Sequence, residues 1–271
     1  MKLLRSEIIK VLFQKRTYVG WIGLLAIPIL IVVALDLSSP SSRGGDAGPN
    51  GFFVLAPHNG LLVPLAAIGA LTLFLLPLLA SMAGSFPLAG EAESGTIKTW
   101  LVHPVSRGGV LVSKWAVAVL YLLAGLALVA ASSYIAGVAV FGAHAPALLS
   151  GGTVSIAEGL WLTLLTYLFV AAGMIAVISL AMLFSTITSS SLTAAIGTLV
   201  IVIVMQILGG FSYFDFLKPY LFTSHLDAWQ GLFQRTIDWA PIEKGLLTFG
   251  VYIVVSVVAA WYIFRRKDVL A

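Results

Sequence analysis

Residues able to do chemistry are few in this chain, and the densest group is Glu91-Ala92-Glu93-Ser94-Gly95-Thr96-Ile97. Two carboxylates two positions apart, followed by Ser94 and Thr96, suit the start of a helix. Acids favour the positive end of the helix dipole, and a hydroxyl can cap the first turn. Ile97, Trp100 and Leu101 then give a small apolar face at helical spacing. Pro104 ends the helix, because the residue before a proline avoids the α region. Ser106 can cap a second helix that leads from Arg107 through Lys114. The pattern predicts a short surface helix with an apolar face and flanking charges, which is either an ordinary capped loop helix or a docking element for a soluble partner. Other reactive residue types are dispersed. His58, His103, His144 and His225 fall in separate connecting segments, and cysteine is absent. The chain has no G-x-x-x-x-G-K-[ST] phosphate loop, no H-E-x-x-H zinc helix and no G-x-S-x-G elbow. An enzyme is therefore disfavoured, and no metal or cofactor site is expected.

The elements that would position this segment are apolar. Of the 271 residues, 60% are hydrophobic and 10% charged, against about 25% charged in soluble domains. Mean hydropathy is +1.05. A spanning helix needs about 20 mostly apolar residues, and six stretches qualify: 17–35, 61–86, 115–141, 159–184, 192–211 and 245–264. Pro28, Pro64 and Pro77 are candidate kinks. The expected fold is an all-α integral membrane protein forming one domain over 1–271. The net charge of +4 reads as an orienting excess rather than a nucleic-acid footprint. With the N-terminus inside, eleven Lys and Arg lie on the inner side and four on the outer. Both termini are thus expected in the cytoplasm.

Residues 1–16 read as an amphipathic helix in the membrane interface. Leu4, Ile8, Ile9, Val11, Leu12 and Phe13 share one arc, while Ser6, Glu7, Lys10 and Gln14 lie opposite, and Arg5, Lys15 and Arg16 supply positive charge. Residues 1–16 are charged throughout and precede a full-length span, so they do not read as a cleavable signal. The outer loop 38–60 is rich in Ser, Gly and Pro and reads as flexible surface. The outer segment 212–244 mixes Tyr213, Phe214, Phe216, Tyr220, Phe222, Trp229, Phe233 and Trp239 with Asp215, Asp227 and Asp238. It reads as one or two short helices at the outer surface. Ionisable groups are nearly absent from the span interiors, which disfavours a secondary carrier. Gln206 is the most polar point of the fifth span, in a helix that also holds Thr193 and Thr198, and the expected role is hydrogen bonding between helices.

The run Glu-x-Glu-x-Gly-Thr-Ile, then Leu-x-x-Pro-Val-Ser-Arg, then Ser-Lys before a span resembles the inner loop of type-2 ABC exporter permeases. The basic amphipathic start, the six spans, the aromatic outer segment and the ending Phe-Arg-Arg-Lys-Asp (residues 264–268) extend the resemblance over most of the chain. It implies two permeases, identical or different, each docked on a cytoplasmic ATP-binding subunit that binds ATP and magnesium. Within the connection 87–114, Glu91, Glu93, Gly95, Thr96, Ile97 and Trp100 would form the coupling helix, with Pro104, Ser106 and Arg107 setting its exit. Arg5, Ile8, Lys10, Leu12, Lys15 and Arg16 would lie on the interfacial helix, and the aromatic outer segment would form short re-entrant helices. The second and fifth spans would wall a path, with Thr72, Ser81, Thr198 and Gln206 as polar points. The implied function is export of an amphipathic or hydrophobic cargo, such as a peptide antibiotic, toxic amphiphile or lipid-like molecule, across a prokaryotic plasma membrane. A secondary carrier or channel, or a non-transport scaffold or sensor, is the alternative.

Overall fold

A computed structural model of the chain describes residues 2–37, 51–93 and 107–266. Nine α-helices are present among them: α1 (Lys2–Leu12), α2 (Lys15–Leu37), α3 (Phe52–Leu55), α4 (Val63–Leu73), α5 (Leu75–Glu93), α6 (Arg107–Phe141), α7 (Ile156–Ile187), α8 (Ser191–Gly210) and α9 (Trp239–Arg266). Helices α2, α6, α7, α8 and α9 are each long and apolar enough to cross a membrane, and α4 with α5 forms a pair bent by 61°. Among the described residues there are therefore five spanning helices, or six when the bent pair counts as one. The expected spans 115–141, 159–184 and 245–264 prove shorter than their helices. At ~1.5 Å per residue, the 35 residues of α6 run well past a ~30 Å hydrocarbon core.

Helix α7 is apolar on all sides and lies at the centre, against α5, α6, α8 and α9, as expected of a helix with no polar face. Outward faces remain apolar: Ile196, Val200 and Val204 on α8, Val251, Val254 and Val258 on α9, and Ile22, Ile29 and Val33 on α2 are all exposed. Lipid is the solvent that accepts such faces. Between helices there is then little hydrophobic gain, and close approach of small residues holds the bundle together. Gly84 of α5 meets the backbone of α7: a Cβ there would stand 2.8 Å from Ala181 Cβ and closer still to the Ile178 carbonyl.

Prolines act differently at three sites. Pro64 falls in the first turn of α4, where a missing N–H costs nothing, so it makes no kink. Pro77 is the third residue of α5 and cannot donate to Leu73, four positions back. The ladder opens there, and the break lies at Phe74 (φ −142°, ψ −49°). Pro87 lies inside α5, so the second span continues where a connection was expected at 87. Ser185 of α7 enters that helix. Its hydroxyl accepts from Ala89 N at 2.9 Å and donates to Ser85 O at 3.0 Å, bridging two groups that an undisturbed helix pairs directly.

Two ends of the molecule are defined by contacts. At one end, Gly60 N donates to Gly142 O at 2.9 Å, joining the start of α4 to the end of α6, and Leu149 N donates to Phe233 O at 2.9 Å. At the other, α1 packs on the start of α6, and α5 ends beside the start of α8. Part of the loop expected to be flexible is core. Phe52 is 1% exposed, stacked on Trp229 at 5.4 Å and edge-on to Phe233 at 5.2 Å. Aromatic burial outweighs the Gly and Pro content of that loop; residues 38–50 lie outside the described part. The aromatic segment holds 3-10 turns at Ser212–Phe214, Phe222–His225 and Ala228–Phe233, and α9 already starts at Trp239. Phe222, Trp229 and Phe233 anchor it in the core, while Tyr213, Phe216 and Tyr220 face outward.

Candidate functional site

Charges gather at the end that holds α1 and the start of α6. Glu7 was expected on the polar side of the amphipathic helix, facing water. Instead it is 3% exposed and Lys114 is 1% exposed, with Lys114 Nζ 3.2 Å from Glu7 Oε2. A second cation, Lys10, lies 3.3 Å from Glu7 Oε1 and remains half exposed. The reason is tertiary: α1 packs on α6, and a charge buried in that contact is tolerated when an opposite charge meets it. Thr17 fastens the joint that follows, its hydroxyl donating to Val11 O at 2.6 Å. Ile8 is partly buried, while Arg5 and Leu12 fall on α1, and Lys15 and Arg16 open α2.

Glu93 departs from expectation in a more informative way. Glu91 and Glu93 were read as preceding a helix, yet both belong to the last turn of α5, the negative end of its dipole. Glu93 is held there by another helix. Its Oε2 accepts from Ser191 Oγ at 2.8 Å and from Ser191 N at 3.3 Å, so the carboxylate caps the positive start of α8. The Ser191 hydroxyl, then its backbone N–H, hold the carboxyl below the usual carboxylate range. Two spans are thus tied at the residue that leads into 94–106. Gly95, Thr96, Ile97, Trp100, Pro104 and Ser106, with the short helix expected on them, lie outside the described residues; Arg107 opens α6.

Toward the other end, the broken span meets α8. Leu73 O, orphaned by Pro77, receives a hydrogen bond from Gln206 Nε2 at 3.3 Å. That bond is the inter-helix role expected for Gln206. The break and the aromatic segment enclose a cleft of about 370 Å³ lined by Thr72, Gln206, Lys218, Thr223, Ser224 and Asp227 among others. Of the four polar points expected along a path, Thr72 and Gln206 meet here. Ser81 and Thr198 do not: both are fully buried, with hydroxyls turned onto their own helices at Leu78 O and Ala194 O. Thr72 likewise bonds to Ile68 O at 2.6 Å. Gln206→Leu is expected to cost roughly 0.6–1.7 kcal/mol, the range for hydrogen bonds between membrane helices, read as a lower unfolding midpoint in mixed micelles. An unshifted midpoint would mean that Leu73 O finds another donor.

Sequence reasoning missed Glu7, Ser185, Ser191 and Thr223. Each acquires its role from a partner roughly a hundred residues away or from a cleft, and no local pattern marks them. Asn59, buried in the core, is similar: its Nδ2 donates to His144 O at 2.8 Å and its Oδ1 accepts from Leu61 N at 3.0 Å.

Long apolar spans, small-residue contacts and charge confined to the ends define a polytopic membrane protein. The sequence model of the family described as ABC-2 family transporter protein matches residues 6–269, and the chain belongs to that family. No curated protein matches it. Membership makes it a membrane component of an ABC transporter and implies a partner ATP-binding subunit.

Proposed function

We propose that this chain is the transmembrane permease subunit of an ATP-binding-cassette exporter. It would move an amphipathic or hydrophobic cargo outward with energy from a separate ATPase that holds ATP and magnesium. Family membership over residues 6–269 carries the reading, and the Glu93 cap supplies a mechanical basis for it. In this reading both termini are cytoplasmic, the bent pair α4–α5 is the second of six spans, and residues 94–106 hold the coupling helix. Glu93 connects that loop to α5 covalently and to α8 through Ser191. A push on the loop by the ATPase therefore moves the second and fifth spans together. Helix α1 lies in the inner interface, bonded to α6 by Glu7 and Lys114. The aromatic turns dip in at the outer surface and close the path, and a second permease completes the assembly. The setting is a prokaryotic plasma membrane.

The alternative of a secondary carrier lacks support, because charged groups lie at the helix ends rather than along the spans. Glu93→Ala tests the coupling role. The variant is expected to reach the membrane in normal amount while ATP-driven efflux falls at least tenfold, measured in vesicles with the partner ATPase present. Efflux at the unaltered rate would remove Glu93 from the coupling path.

A further inference from the structure

The cleft between the helix break and the aromatic turns has features that the packing alone leaves unexplained. Thr223 is 8% exposed, and its hydroxyl oxygen is buried with no hydrogen-bond partner among the described residues. A hydroxyl left unpaired in a dry site costs free energy unless a ligand or water satisfies it. Asp227 lines the same cleft and opens to solvent at its mouth. Among the described residues its carboxylate receives no hydrogen bond and forms no ion pair. Lys218, the cation lining the cleft, is engaged elsewhere, with Nζ 2.7 Å from Asp215 Oδ1. The Gln206 side chain gives its N–H to Leu73 O, which leaves its carbonyl oxygen as an acceptor. The lining thus offers one anionic acceptor, the Gln206 carbonyl and the hydroxyls of Thr223, Ser224 and Thr72, and its one cation is already paired.

An apolar route continues from the cleft. Leu73 and Leu226 belong to its wall, and the lipid-exposed Leu73, Phe74 and Ile207 lie beside it. A volume of about 370 Å³ is within the range of small-molecule sites and holds a headgroup with part of a chain.

We infer that this cleft binds the primary ammonium group of a single-chain cationic amphiphile, with Asp227 as counter-ion, Thr223 and Gln206 as further acceptors, and the alkyl chain running over Leu73 toward lipid. A primary ammonium has three donors and no acceptor, which suits a lining of neutral acceptors beside one negative charge. Partial desolvation raises the Asp227 pKa, so the charged carboxylate gains from a bound cation. The inference deepens the export reading by naming a cargo class, but the binding step needs no ATPase.

The test uses the full chain in phosphatidylcholine nanodiscs without the partner subunit, with tryptophan fluorescence as readout. Trp229, two residues from Asp227, is buried at the segment's core and reports on it. Dodecylammonium is expected to bind about tenfold or more tightly than dodecanol or dodecanoate, and more tightly than dodecyltrimethylammonium, which cannot donate hydrogen bonds. Asp227→Asn should lose about tenfold or more of that affinity. Thr223→Val should lose several-fold, and Thr223→Ser should keep most of it. Equal binding of dodecylammonium and dodecanol, or full affinity in Asp227→Asn, would overturn the site. Binding as expected, with no ATP-driven movement of dodecylammonium once the partner is added, would keep the site and refute the export reading. Export of another cargo without dodecylammonium binding would do the reverse.

Discussion

Lys114→Met will destabilise the protein by about 3 kcal/mol, the lower part of the range for removing one partner of a buried ion pair. Glu7 is 3% exposed and, among the described residues, would keep only the half-exposed Lys10 at 3.3 Å. Lys10 softens the loss without abolishing it, since a carboxylate in a dry contact needs its charge matched inside that contact. The damage should be local. Amide exchange over residues 2–12 should accelerate as α1 lifts from α6, while α7, at the centre of the bundle, stays protected. Glu7→Leu combined with Lys114→Met should recover most of the stability, because replacing both charges by packed apolar groups is often neutral or better. Unfolding in mixed micelles reads the first result and hydrogen exchange the second. A single variant as stable as the parent would show that Glu7 is solvated in the membrane.

Gly84→Val should cost about 3 kcal/mol, at the upper end of ordinary overpacking. The first atom added at residue 84 meets the Ile178 carbonyl of α7 and stands 2.8 Å from Ala181 Cβ. Backbone cannot step aside as a flexible side chain can, so α5 and α7 must separate, and the Ser185 bridge to Ser85 and Ala89 goes with them. Gly250→Ala on α9 is the matched control: nothing lies within 4 Å of its added Cβ, and helix propensity favours alanine by roughly 0.5–1 kcal/mol. Unfolding midpoints for the two variants should move in opposite directions. A tolerated Gly84→Val would mean that the α5–α7 approach is looser than the contacts require.

The spans were legible because lipid demands long apolar runs: α2, α6, α7 and α9 each contain the stretch expected for them, and α8 ends at Gly210, one residue short of it. Pro77 was legible as a disturbance, but the place where the chain bends was not. The lost hydrogen bond belongs to Leu73, and Gln206, more than a hundred residues on, takes the orphaned carbonyl. Glu93 was legible as a charged group at a helix boundary; that it closes α5 and holds the start of α8 was not. Acids beside a helix start look alike in sequence whether the helix follows directly or comes from across the bundle. Glu7 shows the limit most plainly: on a helical wheel it belongs to the wet face, and Lys114, a partner 107 residues away, makes a dry position tolerable. Composition misled at 51–60, where Gly, Pro and Asn suggested surface but Phe52 found Trp229 and Phe233.

The central claim is that this permease works with a separate ATP-binding subunit. Affinity purification of the tagged chain from its native host in mild detergent, with co-purifying chains identified and their ratio measured, tests it most directly. The account predicts one ATP-binding subunit for each permease. Recovery of this chain alone, even after gentle crosslinking, would contradict it.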